Sequence, residues 1–122
     1  MANEISATLS INIVNGKLLE NIAEFFQANQ SNAFGPLPGF QKIGTTHEQI
    51  VLTDLGTPGI GLFKNLDTVN FVELGLVVAG TFYPLIKIKP GEYAFFRLSP
   101  SVALYAKANT AEVAIQAKVF SD

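Results

Sequence analysis

The sequence predicts an all-β protein, an antiparallel two-sheet sandwich, and three observations carry that prediction. Apolar and polar residues alternate with period two at both ends of the chain, the signature of strands with one face buried. Short apolar runs between the ends are separated by turn signals every ~8–12 residues, the spacing of sandwiches and barrels. No strand–helix–strand alternation occurs, which argues against a parallel sheet. Strand number and length favour a jelly-roll-like arrangement among sandwiches.

The first strand is expected over Glu4–Val14. Ile5, Ala7, Leu9, Ile11 and Ile13 would face a core, with Ser6, Thr8, Ser10 and Asn12 facing water. Asn15-Gly16 follows, a dipeptide favoured at the centre of a type I′ hairpin turn. Lys17–Ala28 admits two readings. Leu18, Leu19, Ile22, Phe25 and Phe26 fit a helical stripe, while Leu18, Ile22 and Phe26 also share one strand face. The hairpin signal and the β context favour a strand.

Asn29–Gly44, with Gly35, Pro36, Pro38 and Gly39, reads as a long loop punctuated by Phe34, Leu37 and Phe40. Apolar residues in a loop either fold over the core or dock on a partner. These three are therefore the candidate protein-interface residues.

Strands are then expected over Gln49–Leu55, Ile60–Leu66, Phe71–Val78 (with Gly75 as a bulge), Tyr83–Ile88, Tyr93–Leu98 and Val102–Ala108. Gly80-Thr81 marks one turn, and Lys89-Pro90-Gly91-Glu92 has Pro and Gly where a type II turn needs them. The last strand buries Val113, Ile115, Ala117 and Val119. The 122 residues suit a single domain spanning 1–122.

Charged residues make up 15% against 48% hydrophobic, below the ~25% charge of an average globular protein. That composition excludes disorder and points to a surface partly covered by another protein. The formal charge of −2, with basic residues scattered along the chain, is unlike a nucleic-acid binder, so no nucleic-acid partner is expected. The absence of cysteine removes disulfides, thiolate nucleophiles and Cys-ligated zinc. Met1-Ala2-Asn3-Glu4 lacks the basic and apolar regions of a signal peptide, and no membrane partner is expected.

Candidate chemistry is sparse. His47 stands beside Glu48 with neither a cysteine to activate nor a second histidine, and reads as a surface or turn residue. Gly56–Gly61 lacks the Lys-Ser or Lys-Thr pair of a phosphate loop and reads as a hairpin turn. Asn65, Asp67, Asn70 and Glu73 offer oxygens to a calcium ion, but without EF-hand spacing, and Asx-turns are the expectation. Tyr83, Tyr93 and Tyr105 could stack a sugar, or simply pack as good strand formers. No catalytic residue, metal ligand or cofactor is expected.

Three blocks carry a family resemblance: Lys64–Gly75, Ile88–Leu98 and Leu104–Ala111. With their surroundings from Gln49 to Asp122 they resemble small β-sandwich virion proteins encoded in the structural-gene clusters of tailed bacteriophages. The resemblance implies a non-enzymatic virion component, made in the host cytoplasm and placed on the phage head. Such a decoration or cement protein oligomerises, with a homotrimer favoured, and clamps the major capsid protein lattice. A tail component, or a small carbohydrate-binding module, is the alternative. The resemblance transfers no active-site residue.

Overall fold

In the computed structural model, which describes residues 3–122, the chain is all β apart from one short 3-10 turn. Met1 and Ala2 of the leaderless N-terminus expected above lie outside the described residues. The chain divides into two compact units, Met1–Asn32 and Ala33–Asp122.

The first unit is a two-stranded antiparallel ribbon of β1 (Ile5–Asn15) and β2 (Leu18–Ala28). Leu18–Ala28 is thus strand, as the hairpin signal favours, with Lys17 in the turn before it. Register runs unbroken from Ile5 opposite Ala28 to Asn15 opposite Leu18. That register corrects the expected turn by one residue. Asn15 is the last paired position, so Gly16 and Lys17 are central, and of these only Gly16 has positive φ. Gly at the first central position is the type II′ solution. The open end is fastened by backbone donors: Asn3 N–H to Asn29 Oδ1 at 2.8 Å, and Gln30 N–H to Glu4 Oε1 at 2.9 Å.

The second unit is a sandwich of two four-stranded antiparallel sheets. One has the order β3 (Leu37–Ile43), β10 (Val113–Ser121), β5 (Pro58–Asn65), β8 (Tyr93–Arg97). The other has the order β4 (Glu48–Gln49), β9 (Tyr105–Ala108), β6 (Val72–Val78), β7 (Thr81–Ile88). Pairing is nested: β3 with β10, β4 with β9, β5 with β8, β6 with β7. Two further pairings, β10 with β5 and β9 with β6, join these couples into sheets.

The core lies between the inner faces. β10 shows why: Val113, Ile115, Ala117 and Val119 are fully buried, as their alternation predicts, and meet Phe63, Val72, Leu74, Ile88, Ala106 and Ala108. Phe63 stacks on Phe96 with ring centroids 5.1 Å apart. Every residue of this core belongs to Ala33–Asp122.

Several boundaries differ from expectation. Gln49–Leu55 is not one strand: β4 holds only two residues and Thr53–Leu55 is a 3-10 turn whose Leu55 plugs the core. The Asn29–Gly44 loop ends early, because Leu37–Ile43 pairs along β10 and becomes an edge strand. Gly75 does mark a bulge: the register to β7 shifts between Leu74 and Gly75. A Cβ there would run into the Tyr83 carbonyl, so only glycine allows the close approach of β7. The β6–β7 turn is centred on Ala79-Gly80, not Gly80-Thr81, and both residues have positive φ. Left-handed φ costs alanine ~1–2 kcal/mol. Ala79→Asn, which suits a type I′ turn, is expected to raise stability by about 0.5–1 kcal/mol, read as a higher urea midpoint.

Candidate interaction surface

Several of the polar groups singled out in the sequence serve packing and turns. His47 stacks on Phe82 at 6.2 Å and meets Tyr105 edge-on at 5.9 Å, so its ring is a packing element between strands. Tyr83 and Tyr93 are exposed, but on edge strands of different sheets, and Tyr105 is the half-buried partner of His47. In the glycine-rich segment, Gly61 lies against the Phe63 ring and Leu98, and the Gly59 carbonyl accepts the Leu98 N–H.

The Asn65–Asn70 segment is a tie between loops. Asn65 is fully buried and its amide donates to the carbonyls of Asn70 (2.9 Å) and Ile88 (3.0 Å), while its Oδ1 accepts the Asp67 N–H at 2.8 Å. Asp67 Oδ2 accepts the N–H groups of Asn70 (2.6 Å) and Val69 (3.0 Å). These are the Asx-turns expected from the sequence. Among the described residues, no three acidic or histidine side chains gather as a metal site. Asn65→Ala would orphan two carbonyls and one N–H, and is expected to cost about 2–4 kcal/mol in denaturant unfolding.

The backbone N–H groups of Asn70 and Val69 hold the Asp67 carboxyl below its ordinary value. The unfolded chain therefore takes up this proton more readily than the folded one. The resulting stability is present above the ordinary Asp range near ~4 and is lost as pH falls through the lowered value. The gap in melting temperature between wild type and Asp67→Asn is expected to change in wild type's disfavour below about pH 4.

Phe34, Leu37 and Phe40 do not form one patch. Phe34 is 59% exposed, and its backbone is fastened to Ser121 by an N–H donated to Oγ (3.1 Å) and a carbonyl accepting the Ser121 N–H (3.0 Å). Leu37 is half-buried and packs on the core. Phe40 is 55% exposed and points away from the core, on the opposite face of β3.

Phe40 belongs to a wider surface. Cross-strand partners share a face, so the register places Phe40, Gln116, Lys64 and Tyr93 in one row on the outside of the sheet. Pro38, Lys118, Leu62 and Phe95 form the next row. The four strands of this sheet contain Lys42, Lys118, Lys64 and Arg97 and not one carboxylate. Arg97 is paired with Asp122 at 2.9 Å, an exposed bridge worth little to stability. The face is aromatic and basic.

The second apolar surface is the ribbon, and sequence reasoning misplaced it. Ile5, Ala7, Leu9, Ile11 and Ile13 were expected against a core, yet Leu9 is 49% exposed and Ile13 is exposed as well. Register adds Leu18, Ile22, Phe26 and Ala28 of β2 to that face, together with Glu20 and Glu24. The opposite face carries Val14 and Leu19, 72% and 65% exposed, beside Ser, Thr and Asn. Each strand runs 11 residues, about 36 Å, roughly twice the usual strand. That length was the available signal: two such strands joined by a tight turn form a ribbon too long for a small sandwich. A lone two-stranded hairpin is marginal in water, so an apolar ribbon of this kind calls for a cover.

No protein-family model matches the chain, and neither the curated proteins nor the solved structures contain a significant match. Among the described residues, no helix is long and apolar enough to cross a membrane.

Proposed function

We propose that this chain is a non-enzymatic virion structural protein, a head decoration or cement protein of a tailed bacteriophage that oligomerises and clamps the major capsid protein lattice. The observation that carries the reading is the β1–β2 ribbon of two 11-residue strands, whose aliphatic face leaves Leu9, Ile13, Leu18 and Phe26 exposed while the core cluster lies wholly in Ala33–Asp122. The core cluster draws no residue from that face, which suits a role in association. The nested strand pairing supports a jelly roll, the wiring in which a long hairpin wraps into two sheets. Asn65, Asp67 and His47 serve turns and packing, which suits a protein that acts by burying surface.

Clamping works by linkage. A protein that binds only the expanded, assembled shell shifts the equilibrium toward that shell. Multivalency strengthens it, because docking of one protomer presents its partners at high effective concentration. The test is co-sedimentation of purified protein with expanded and with unexpanded heads. The reading expects saturable binding to expanded heads and a higher temperature of head disruption. Binding to tails with none to heads moves the protein to the tail, and retention on a glycan array alone makes it a carbohydrate-binding module.

A further inference from the structure

We propose that the β1–β2 ribbon of one copy packs on the outer face of the β3-β10-β5-β8 sheet of the next copy, in a head-to-tail interface. The proposal rests on the oligomer reading above and names its contact. Three observations select a second copy as the occupant.

The first is charge. Residues 1–32 hold Glu4, Glu20 and Glu24 against Lys17, whereas residues 33–122 hold seven basic and seven acidic side chains. The chain's net charge of −2 is therefore concentrated in the ribbon. Two of its carboxylates, Glu20 and Glu24, sit on the aliphatic face with no cation on that face. The outer sheet face is the complement, with lysines among aromatics and no carboxylate on its strands.

The second is spacing. Glu20 and Glu24 lie four residues apart on one strand, about 13 Å. Lys42 and Lys64 are both exposed and lie two strands and two residues apart, about 12 Å. Tyr93 stands beside Lys64 in its row and Phe40 lies one strand beyond Gln116, and both rings supply apolar surface for Leu9, Ile13 and Leu18.

The third observation eliminates the simpler self-contact. Packing the aliphatic faces of two or three ribbons together would bring Glu20 and Glu24 of each copy into one apolar seam. Like charges brought together at an interface cost several kcal/mol. A ribbon-on-sheet contact places the same carboxylates against lysines. Because donor and acceptor surfaces differ, the interface is heterologous and closes into a ring when the rotation allows.

Charge reversal with light-scattering mass as the readout tests this. Glu20→Lys/Glu24→Lys and Lys42→Glu/Lys64→Glu are each expected to raise the concentration for half-assembly by about tenfold or more. The four-fold variant carrying both reversals is expected to recover the wild-type mass. A wild-type monomer, an unchanged mass in either reversed pair, or a folded four-fold variant that stays monomeric would overturn the proposal. Should a reversed pair lose its β circular-dichroism signal, Glu20→Gln/Glu24→Gln replaces it. Wild-type assembly should then weaken with added salt and the Gln variant should not, and equal salt dependence contradicts the contact. Recovery of mass in the four-fold variant without binding to heads would leave this interface standing and end the decoration reading.

Discussion

Removing residues 1–32 is expected to leave a folded sandwich that no longer assembles. All the buried residues of the core cluster come from 33–122, so the truncated chain keeps its hydrophobic stabilisation. Its circular-dichroism minimum and cooperative unfolding should persist, with a urea midpoint shifted by little. Its mass should fall to that of a single truncated chain at every accessible concentration, and binding to expanded heads should be lost. The effect is all or none because the ribbon is the aliphatic half of the contact. A truncated chain that assembles like the whole protein would place the interface elsewhere on the sandwich. A truncated chain that fails to fold would mean the ribbon stabilises its own protomer.

The largest effect on stability is expected from Phe63→Ala. Phe63 is fully buried on the inner face of β5, stacks on Phe96, and shares the core with Ile115, Ala117 and Val119. Loss of a buried phenyl ring costs about 3–5 kcal/mol, the sum of lost transfer energy and the cavity left behind. A domain of this size is stable by ~5–15 kcal/mol, so the variant should unfold at much lower urea or not fold at all. Phe40→Ala makes the contrast. It removes an exposed ring from the outer face and should change stability by less than about 0.5 kcal/mol while weakening assembly. Denaturant unfolding and light scattering of the two variants separate core from interface. Equal loss of stability in both would show that Phe40 is a folding residue.

Much of the sandwich was legible in the sequence because its signals are local. The alternation of β10 states which side chains are buried, and all four named ones are. Gly75 announces a bulge, and Pro90-Gly91 a turn in which Gly91 takes positive φ and the Glu92 N–H returns to the Lys89 carbonyl at 2.9 Å. The Asx-turns of Asn65 and Asp67 follow from short polar side chains that reach their own backbone.

What failed was non-local. Leu37–Ile43 holds two prolines' worth of turn signal in its neighbourhood and a glycine within, yet β10 captures it as an edge strand, where a missing N–H is tolerated. The Asn15-Gly16 signal located the hairpin but not its centre, because strand register is fixed by the whole ribbon. The apolar face of β1 reads from the sequence as one buried in a core, yet it contributes no residue to the core cluster and leaves Leu9 and Ile13 exposed. Period two says that a face must be covered but not by what. The candidate interface residues divide in the same way: Phe40 points outward, whereas Leu37 packs against the core.

The most direct test of association as the purpose of this protein is the absolute mass of the full chain by size-exclusion chromatography with light scattering. The account predicts a closed oligomer, a whole multiple of 13.1 kDa with three copies favoured, stable on dilution into the micromolar range. A single species of 13.1 kDa at all concentrations would contradict it.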